Sequence, residues 1–363
     1  MLYKLLSRTD RTRFAPTVVS LTGDGAVGDK IRALGIAVYT IGMARRVPNP
    51  VGVLRTAGRL RRIRPALVQT WMYHADVVGG LAAKFAGGIP VLWGIRQSNL
   101  EPPGTRRGTI LTARAAALLS HRLPVQIVCG SEAARRTHRA LGDAPEKMVV
   151  IRNGSDLDDF RPSARARAGI RRELDISEDV PLIGLAARFD PQKDHRNFVR
   201  AAGLLHGRLP EAHFVLCGEG VTWQNDRLVH WIDAAGIRGS CHLLGRRADM
   251  ERVNAALDIA VSSSWGEGFP NVVGEAMACG IPCVVTDVGD SAQIVADTGR
   301  VVPPRDPGAL AGAWGELLAL PAEARRALGL AARRRIEQHY SLGAVVTQYE
   351  DLYHRVLGAQ CAE

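Results

Sequence analysis

Residues 259–286 read IAVSSSWGEGFPNVVGEAMACGIPCVVT. Two apolar runs, 259–263 and 281–286, flank a stretch with helical punctuation. Pro270 suits a first helical position, and Gly280 suits the residue just past a helix end. A strand, a helix and a second strand in that order make a unit of a parallel sheet. The helix expected over 270–279 is apolar almost all round: Val272, Val273, Ala276, Met277, Ala278 and Cys279. Such a helix is buried. Glu267 and Glu275 stand eight positions apart around its start. Glu275 inside it would be costly to bury without a hydrogen-bond donor. The N–H groups of Asn271, Val272 and Val273 point out of the helix start, where an anion is favoured. An anion seat with a carboxylate on either side suits a phosphorylated, hydroxyl-rich ligand such as a sugar nucleotide.

The same alternation runs through the chain. One series of strands is expected at 16–21, 36–41, 65–70, 90–95 and 125–130. A second is expected at 181–187, 213–218, 241–245, 259–263 and 281–286. Helices are expected between them, at 74–86, 131–141, 195–207, 248–256 and 270–279. Strands unbroken by polar residues, with helices between, indicate parallel sheets covered on both faces. Two series imply two doubly wound domains of an α/β protein. Residues 150–180 are rich in turn formers and charge and separate the series. The expected division is residues 1–160, residues 161–340, and a helix in 341–363 packing back on the first domain through Val345, Tyr349, Leu352, Tyr353 and Val356.

The chain has 363 residues, 46% of them hydrophobic, and a net charge of +11. Residues 1–150 hold 23 Lys and Arg against 8 Asp and Glu; the rest holds 24 against 28. A basic half beside a mildly acidic one suits an anionic membrane surface or an acidic acceptor. Nucleic acid is not the expected partner. The segment 51–63 offers a helix with arginines at 55, 59, 61 and 62 that could lie on anionic lipid, or simply form a solvated face. No apolar run is long enough to span a bilayer, and the start MLYKLLSRTD lacks a signal-peptide core. The six cysteines sit among apolar residues and read as buried free thiols in a reducing compartment. Cys279 and Cys283 have no second ligand pair, so no metal site is expected.

Other residues take roles from their positions at strand ends, where open parallel sheets bind ligands. Arg188 and Lys193 follow the strand at 181–187 and could neutralise a diphosphate; taken singly, each reads as a solvated cation. Asp194 reads as the cap of the next helix. Gly218 and Gly245 with Arg246 end two further strands and could border the donor. His74 begins a helix after the strand at 65–70 and could act on a hydroxyl or hold a reacting sugar. Arg96 and Ser98 hold the corresponding place after the next strand, on an acceptor side. Gly23, Gly25 and Gly28 imitate a dinucleotide fingerprint. The expected acid some twenty residues on is absent, and Arg45 and Arg46 suit only an NADP reading. Asp156 and Asp158 imitate a metal-binding pair but read as linker.

Taken together these motifs resemble the family 4 (group 1) retaining glycosyltransferases. The stretch from Glu267 to Glu275 resembles their paired-glutamate signature. GLAARFDPQKDH (184–195) resembles their strand with the Arg and Lys of the donor diphosphate, and VIRNGSDLDDFRP (150–162) resembles their interdomain hinge. The resemblance implies the GT-B architecture, two Rossmann-like domains facing across a cleft with the donor in the second. It implies that Arg188 and Lys193 bind the diphosphate, that Glu267 meets sugar hydroxyls and that Glu275 meets the ribose. Gly268, Phe269, Asn271 and Val272 would hold sugar and phosphate through their backbone, and His74 would lie near the transferred sugar. A UDP- or GDP-linked sugar is then a co-substrate, no cofactor is tightly bound, and the acceptor is a polysaccharide or lipid-linked glycan. The location implied is cytoplasmic, peripheral to the inner face of a membrane.

One departure stands out. The opening MLYKLLSRTDRTRFAPTVVS (1–20) reads as a first helix and then a second strand, so the expectation is that the family's usual first strand and Gly-rich loop are missing, either because the chain starts late or because the domain lacks that central element. Such a sheet would carry open apolar edges, and the expectation is low stability or weak activity. The rival readings are an NADP-dependent oxidoreductase and a non-catalytic sugar-nucleotide binder.

Overall fold

The computed structural model describes residues 1–44, 49–100 and 105–360. The chain forms two compact units. One is residues 1–153 with the C-terminal helix, and the other is Gly154–Ser341. The division falls seven residues before the boundary drawn from composition. Residues 154–160 fold onto the second unit: the Ser155 amide donates to Tyr340 O at 2.9 Å, and Phe160 is part of that unit's core.

The first unit contains α1 (Leu2–Arg8), β1 (Val18–Ser20), α2 (Gly25–Ala33), β2 (Val38–Thr40), α3 (Pro50–Ile63), β3 (Val68–Gln69), α4 (Tyr73–Phe85), β4 (Val91–Ile95), α5 (Arg107–Ser120), β5 (Gln126–Cys129), α6 (Glu132–Leu141) and β6 (Met148–Val150). The second contains α7 (Ala164–Glu173), β7 (Leu182–Ala186), α8 (His195–His206), β8 (His213–Cys217), α9 (Asp226–Ala234), β9 (Cys241–Leu243), α10 (Met250–Ala256), β10 (Ile259–Ser262), α11 (Asn271–Ala278), β11 (Cys283–Thr286), α12 (Ser291–Val295), β12 (Arg300–Val302), α13 (Pro307–Ala319) and α14 (Ala322–His339). The helix α15 (Leu342–Gln360) belongs to the first unit.

The second unit has one six-stranded parallel sheet, ordered β12-β11-β10-β7-β8-β9. Its strands are apolar on both faces because helices cover both. Ile183, Phe214, Leu216, Val261 and Val284 face one core with residues of α8, α9 and α13. Their strand neighbours Leu182, Val215, Ala260, Cys283 and Val285 face another with residues of α7, α10, α11 and α14. Alternate residues of a strand point to opposite faces, so each run is read twice by the core. The buried thiols Cys279 and Cys283 belong to the second cluster, and burial pushes the Cys279 thiol up to about 12.

The first unit follows the same alternation, but its sheet is in two pieces. Among the described residues β1 pairs only with β2, while β3, β4, β5 and β6 form a separate four-stranded sheet. All pairings are parallel. Its core is likewise divided: a cluster around Trp93 and Ile127, one around Leu92 and Tyr349 that takes in α15, and a small one of Leu6, Ile31 and Ile36. A cavity of about 650 Å3 lies between β1 and β3.

Candidate active site

The strand order of the second unit reverses where β7 lies beside β10. β7, β8 and β9 run outward on one side, and β10, β11 and β12 on the other. Loops after strands part at such a point and leave a crevice for a ligand. The loop after β7 carries Arg188 and Lys193, and the loop after β10 carries Glu267. The structure brings the last two together: Lys193 Nζ donates to Glu267 Oε1 at 2.5 Å, and Ser264 Oγ donates to the same oxygen at 2.7 Å. The Glu267 carboxylate is only 9% exposed. A buried carboxylate needs donors of this kind. From sequence alone each residue has its own role toward a ligand; their pairing, and the Ser264 hydroxyl, come from the tertiary fold.

The two loops are tied along their length. The Trp265 amide and its Nε1 donate to Gln192 O (2.9 Å) and Pro191 O (2.7 Å), and Ser263 Oγ donates to Lys193 O at 2.9 Å. Glycines make the close approaches possible. A Cβ on Gly218 would stand 2.1 Å from Ala187 O, and one on Gly289 would stand 2.5 Å from Glu267 O. Gly218, read from sequence as room for a ligand, is thus first of all room for the neighbouring loop. Gly245, at φ +62°, accepts the Gly218 amide at 2.8 Å. Arg246 is exposed, while its neighbour Arg247 is committed to Asp249 and Glu173.

Arg188 is 65% exposed and forks onto Asp190 Oδ2 at 3.0 and 3.2 Å. Burial pulls the Asp190 carboxyl up, but the Gln192 amide and the Arg188 and Lys193 charges outweigh it and hold it below its usual value. Asp190 therefore stands between the two cations, a feature that nothing in the spacing announced. Asp194 caps α8 by accepting the Asn197 amide at 3.2 Å. Burial drives the neighbouring His195 imidazole down to about 4, so it is neutral at physiological pH.

The helix start needs one correction. Pro270 is the residue before α11 rather than its first, and the Val273 amide donates to Pro270 O at 3.2 Å. That amide is no longer offered to an anion. The helix ends at Ala278, with Gly280 at φ +76° just beyond. Val273, Ala276 and Met277 are buried, whereas Glu275 is half-buried on the more open side. The Phe269 ring packs on Tyr340 at 5.6 Å between centroids, so the side chain belongs to the core edge; Asn271 is exposed and Val272 half-buried.

In the first unit, His74 is the second residue of α4, half-buried at the end of β3. Its neighbours are deeply buried. Tyr73 Oη meets His138 Nε2 at 3.0 Å, and His138 Nδ1 meets Asp143 at 2.9 Å. Asp76 accepts from Thr70 Oγ1 at 2.5 Å and from the Gly94 amide at 3.3 Å. Burial outweighs both bonds and raises its carboxyl to about 7. Arg96 stacks on Trp71 at 4.4 Å and donates to Asn153 Oδ1 at 3.1 Å and to Tyr349 Oη. Its guanidinium thus fastens α15 to the end of β4, which leaves little of it for an acceptor. Ser98 accepts Thr137 Oγ1 through its carbonyl at 2.8 Å. In the Gly23–Gly28 imitation, Gly28 falls inside α2; Arg45 and Arg46 lie outside the described residues. Asp156 accepts the Asp158 amide at 3.1 Å in a turn. Among the described residues no helix is long and apolar enough to cross a membrane.

Residues 1–159 match the family model for Glycosyltransferase Family 4, and residues 180–319 match that for Glycosyl transferases group 1. Over 98% of this chain and 94% of the other, the fold is similar to HepE of Anabaena, solved with UDP-glucose, at a TM-score of 0.83 and 21% identity. It is also similar to sucrose-phosphate synthase of Thermosynechococcus elongatus, over 94% of this chain and 99% of that one, at 0.77 and 20%. Two α/β domains with parallel sheets of this kind define the GT-B fold. With both halves matched by their models, the chain belongs to the group 1, family 4 glycosyltransferases. A curated relative is the UDP-Gal:alpha-D-GlcNAc-diphosphoundecaprenol alpha-1,3-galactosyltransferase of Escherichia coli, 25% identical over 63% of this chain and 59% of its own. Another is the D-inositol 3-phosphate glycosyltransferase of Salinispora tropica, 32% identical over 58% of this chain and 46% of its own. The chain thus spans about half the length of these relatives.

Proposed function

We propose that this chain is a retaining glycosyltransferase that moves a sugar from a UDP- or GDP-linked donor to a polysaccharide or lipid-linked glycan in cell-envelope synthesis. The observation that carries this reading is the Lys193–Glu267 pair at the point where the strand order reverses. As the bond from the anomeric carbon to the diphosphate breaks, the electron pair moves onto the phosphate oxygen. Lys193 and Arg188 would stabilise that charge, with the start of α11 adding its dipole. Glu267 holds the Lys193 ammonium in place and would meet the sugar hydroxyls. Glu275 would accept from the ribose. The acceptor hydroxyl bonds the anomeric carbon on the face the diphosphate leaves, and its proton passes to the departing phosphate oxygen. Gly218, Gly245 and Arg246 would border the nucleotide. The names of HepE's ligand and of the E. coli relative support a UDP-sugar donor and a lipid-diphosphate acceptor. The basic first half supports work at an anionic membrane surface from the cytoplasmic side, with no tightly bound cofactor. The split sheet of the first unit favours one second reading, a donor binder with little transfer activity.

A thermal-shift screen of UDP, GDP and their sugars, followed by transfer from a labelled donor, tests this. Binding to the folded state alone raises the melting temperature. Glu275→Ala is expected to weaken nucleotide affinity about tenfold or more. Unchanged affinity removes its role, and stabilisation by NADP alone removes the transferase reading.

A further inference from the structure

Helix α5 is turned inside out. Its buried positions are Ala113, Ala116, Ala117 and Ser120. Leu111 and Leu118 point to solvent instead, 64% and 80% exposed. A surface helix ordinarily buries its large apolar residues and shows its polar ones. Arg107, Leu111, Arg114, Leu118 and Arg122 recur at helical intervals and form one exposed stripe. The pattern continues on α3 and α4, which cover the same core as α5. There Val53, Ala57 and Leu60 are buried, but Val51 and Leu54 stay outside, and Phe85 ends α4 in solvent. Arg61 Nη2 donates to Phe85 O at 2.6 Å and joins the ends of α3 and α4. Among the described residues, Leu118, Leu54, Leu111, Val51 and Phe85 are the most exposed large apolar side chains of the whole chain. The charge on this face has one sign. Asp76 is the one acid in the three helices, and it is fully buried.

We propose that the outer face of α3, α4 and α5 docks in the plane of an anionic lipid bilayer, its leucines at the headgroup–acyl boundary and its arginines on the phosphates. This rests on the membrane-side reading above and gives it a surface. Arginine stems cover apolar area while their guanidinium ends stay with polar groups, so an apolar and basic mixture suits that boundary. A second copy of this chain would set arginines against arginines, with no acid on either face to pair them. A nucleic acid would take the arginines and leave five large apolar side chains in water. Acidic phospholipid meets both: its surface potential attracts each nearby cation, and its acyl boundary receives the leucines. The arginines of 51–63 are visible in the sequence. The outward leucines of α5 are visible only in the packing.

The test is co-sedimentation of the full chain with vesicles of equal parts phosphatidylglycerol and phosphatidylcholine, against phosphatidylcholine alone. Binding to the anionic vesicles is expected to be about tenfold tighter or more, and to weaken as salt shortens the reach of the charges. The double variant Leu111→Ser, Leu118→Ser is expected to lose about tenfold or more in vesicle affinity, since its apolar contribution is gone. Both side chains are exposed, so its melting temperature and its transfer to a soluble acceptor are expected to match the parent's. Leu118→Trp is expected to add emission that brominated lipid quenches. Leu330→Trp, at an exposed position on α14 of the second unit, is expected to add emission that brominated lipid leaves alone. Equal affinity of parent and double variant for anionic vesicles overturns the proposal, as does failure of the parent to bind them. Dimerisation of the parent that the double variant loses assigns the face to a second copy and also overturns it. Vesicle binding needs neither donor nor acceptor. A chain that binds vesicles through this face without transferring sugar therefore overturns the transferase reading alone, and one that transfers sugar without binding vesicles overturns this proposal alone.

Discussion

The two units use the same alternation of strand and helix, and they end in different states. In the second, six strands form one sheet whose neighbours are all present, and every central apolar residue is enclosed. In the first, the sheet is broken between β1 and β3 and the core falls into three clusters. The difference lies in continuity rather than in composition. A valine in β11 and a valine in β1 are the same residue in the same kind of strand. One has neighbours on every side and is 0% exposed; the other borders a cavity. Local sequence brings a strand into being, but the strands beside it determine how much it contributes.

The largest effect belongs to the complete unit. Lys193→Ala removes the cation from the reversal point and leaves the Glu267 carboxylate buried with one donor fewer. Transfer is expected to fall about 10^3-fold in kcat/KM, with the circular dichroism spectrum intact. A loss below tenfold breaks the assignment of the site to this unit. Next comes Gly218→Ala, whose Cβ meets a backbone carbonyl that packed strands do not let move. It is expected to cost about 3 kcal/mol in denaturant unfolding. A cost near zero would mean that the second unit is as loosely joined as the first.

Asp76 provides the first unit's own signature. Its carboxyl titrates at about 7 when folded, against an ordinary value of 3.8. Below pH 3.8 both states are protonated and no penalty exists. Between 3.8 and 7 the unfolded chain loses its proton while the folded one keeps it, so stability falls as pH rises, and above 7 the penalty is complete. Asp76→Asn keeps an acceptor for Thr70 and Gly94 without the charge. Relative to the parent it is expected to gain about 4 kcal/mol between pH 4 and pH 8, read from urea midpoints at each pH. A pH-independent difference would place Asp76 in contact with water. The smallest effect sharpens the comparison most directly. Val284→Ala is expected to cost about 2 kcal/mol, and Val19→Ala less than about 1 kcal/mol. Equal costs would mean that the cavity beside β1 is filled in solution.

Much of this was legible before the coordinates. The strands at 91–95, 126–129, 182–186, 213–217 and 259–262 lie within their expected runs, since uninterrupted apolar stretches bounded by turn residues have few other uses. β6 and β12 were not foreseen. Each has three residues, and Arg300 interrupts the apolar signal of the latter. The helix start at Asn271 came out one residue late, because Pro270 takes the capping place with extended backbone, φ −75° and ψ 100°. Glu267, Lys193 and Arg188 were legible as residue types at strand ends, where function concentrates in open sheets. Arg96 shows the limit of that logic. A strand-end arginine looks available for a ligand until Trp71, Asn153 and Tyr349 are found around it.

By itself the sequence determined the alternation of strands and helices, the two series, the apolar helix after Pro270 and the chemistry gathered around it. These depend on residue type and on spacings of a few residues, which the chain carries locally. Only the tertiary structure decided that Lys193 and Glu267, 74 positions apart, share one hydrogen bond. It also decided that Arg96 fastens α15, and that β1 and β3 border a space instead of each other. Those outcomes depend on which strands lie side by side, and strand order is fixed by the packing of the whole unit rather than by any segment within it.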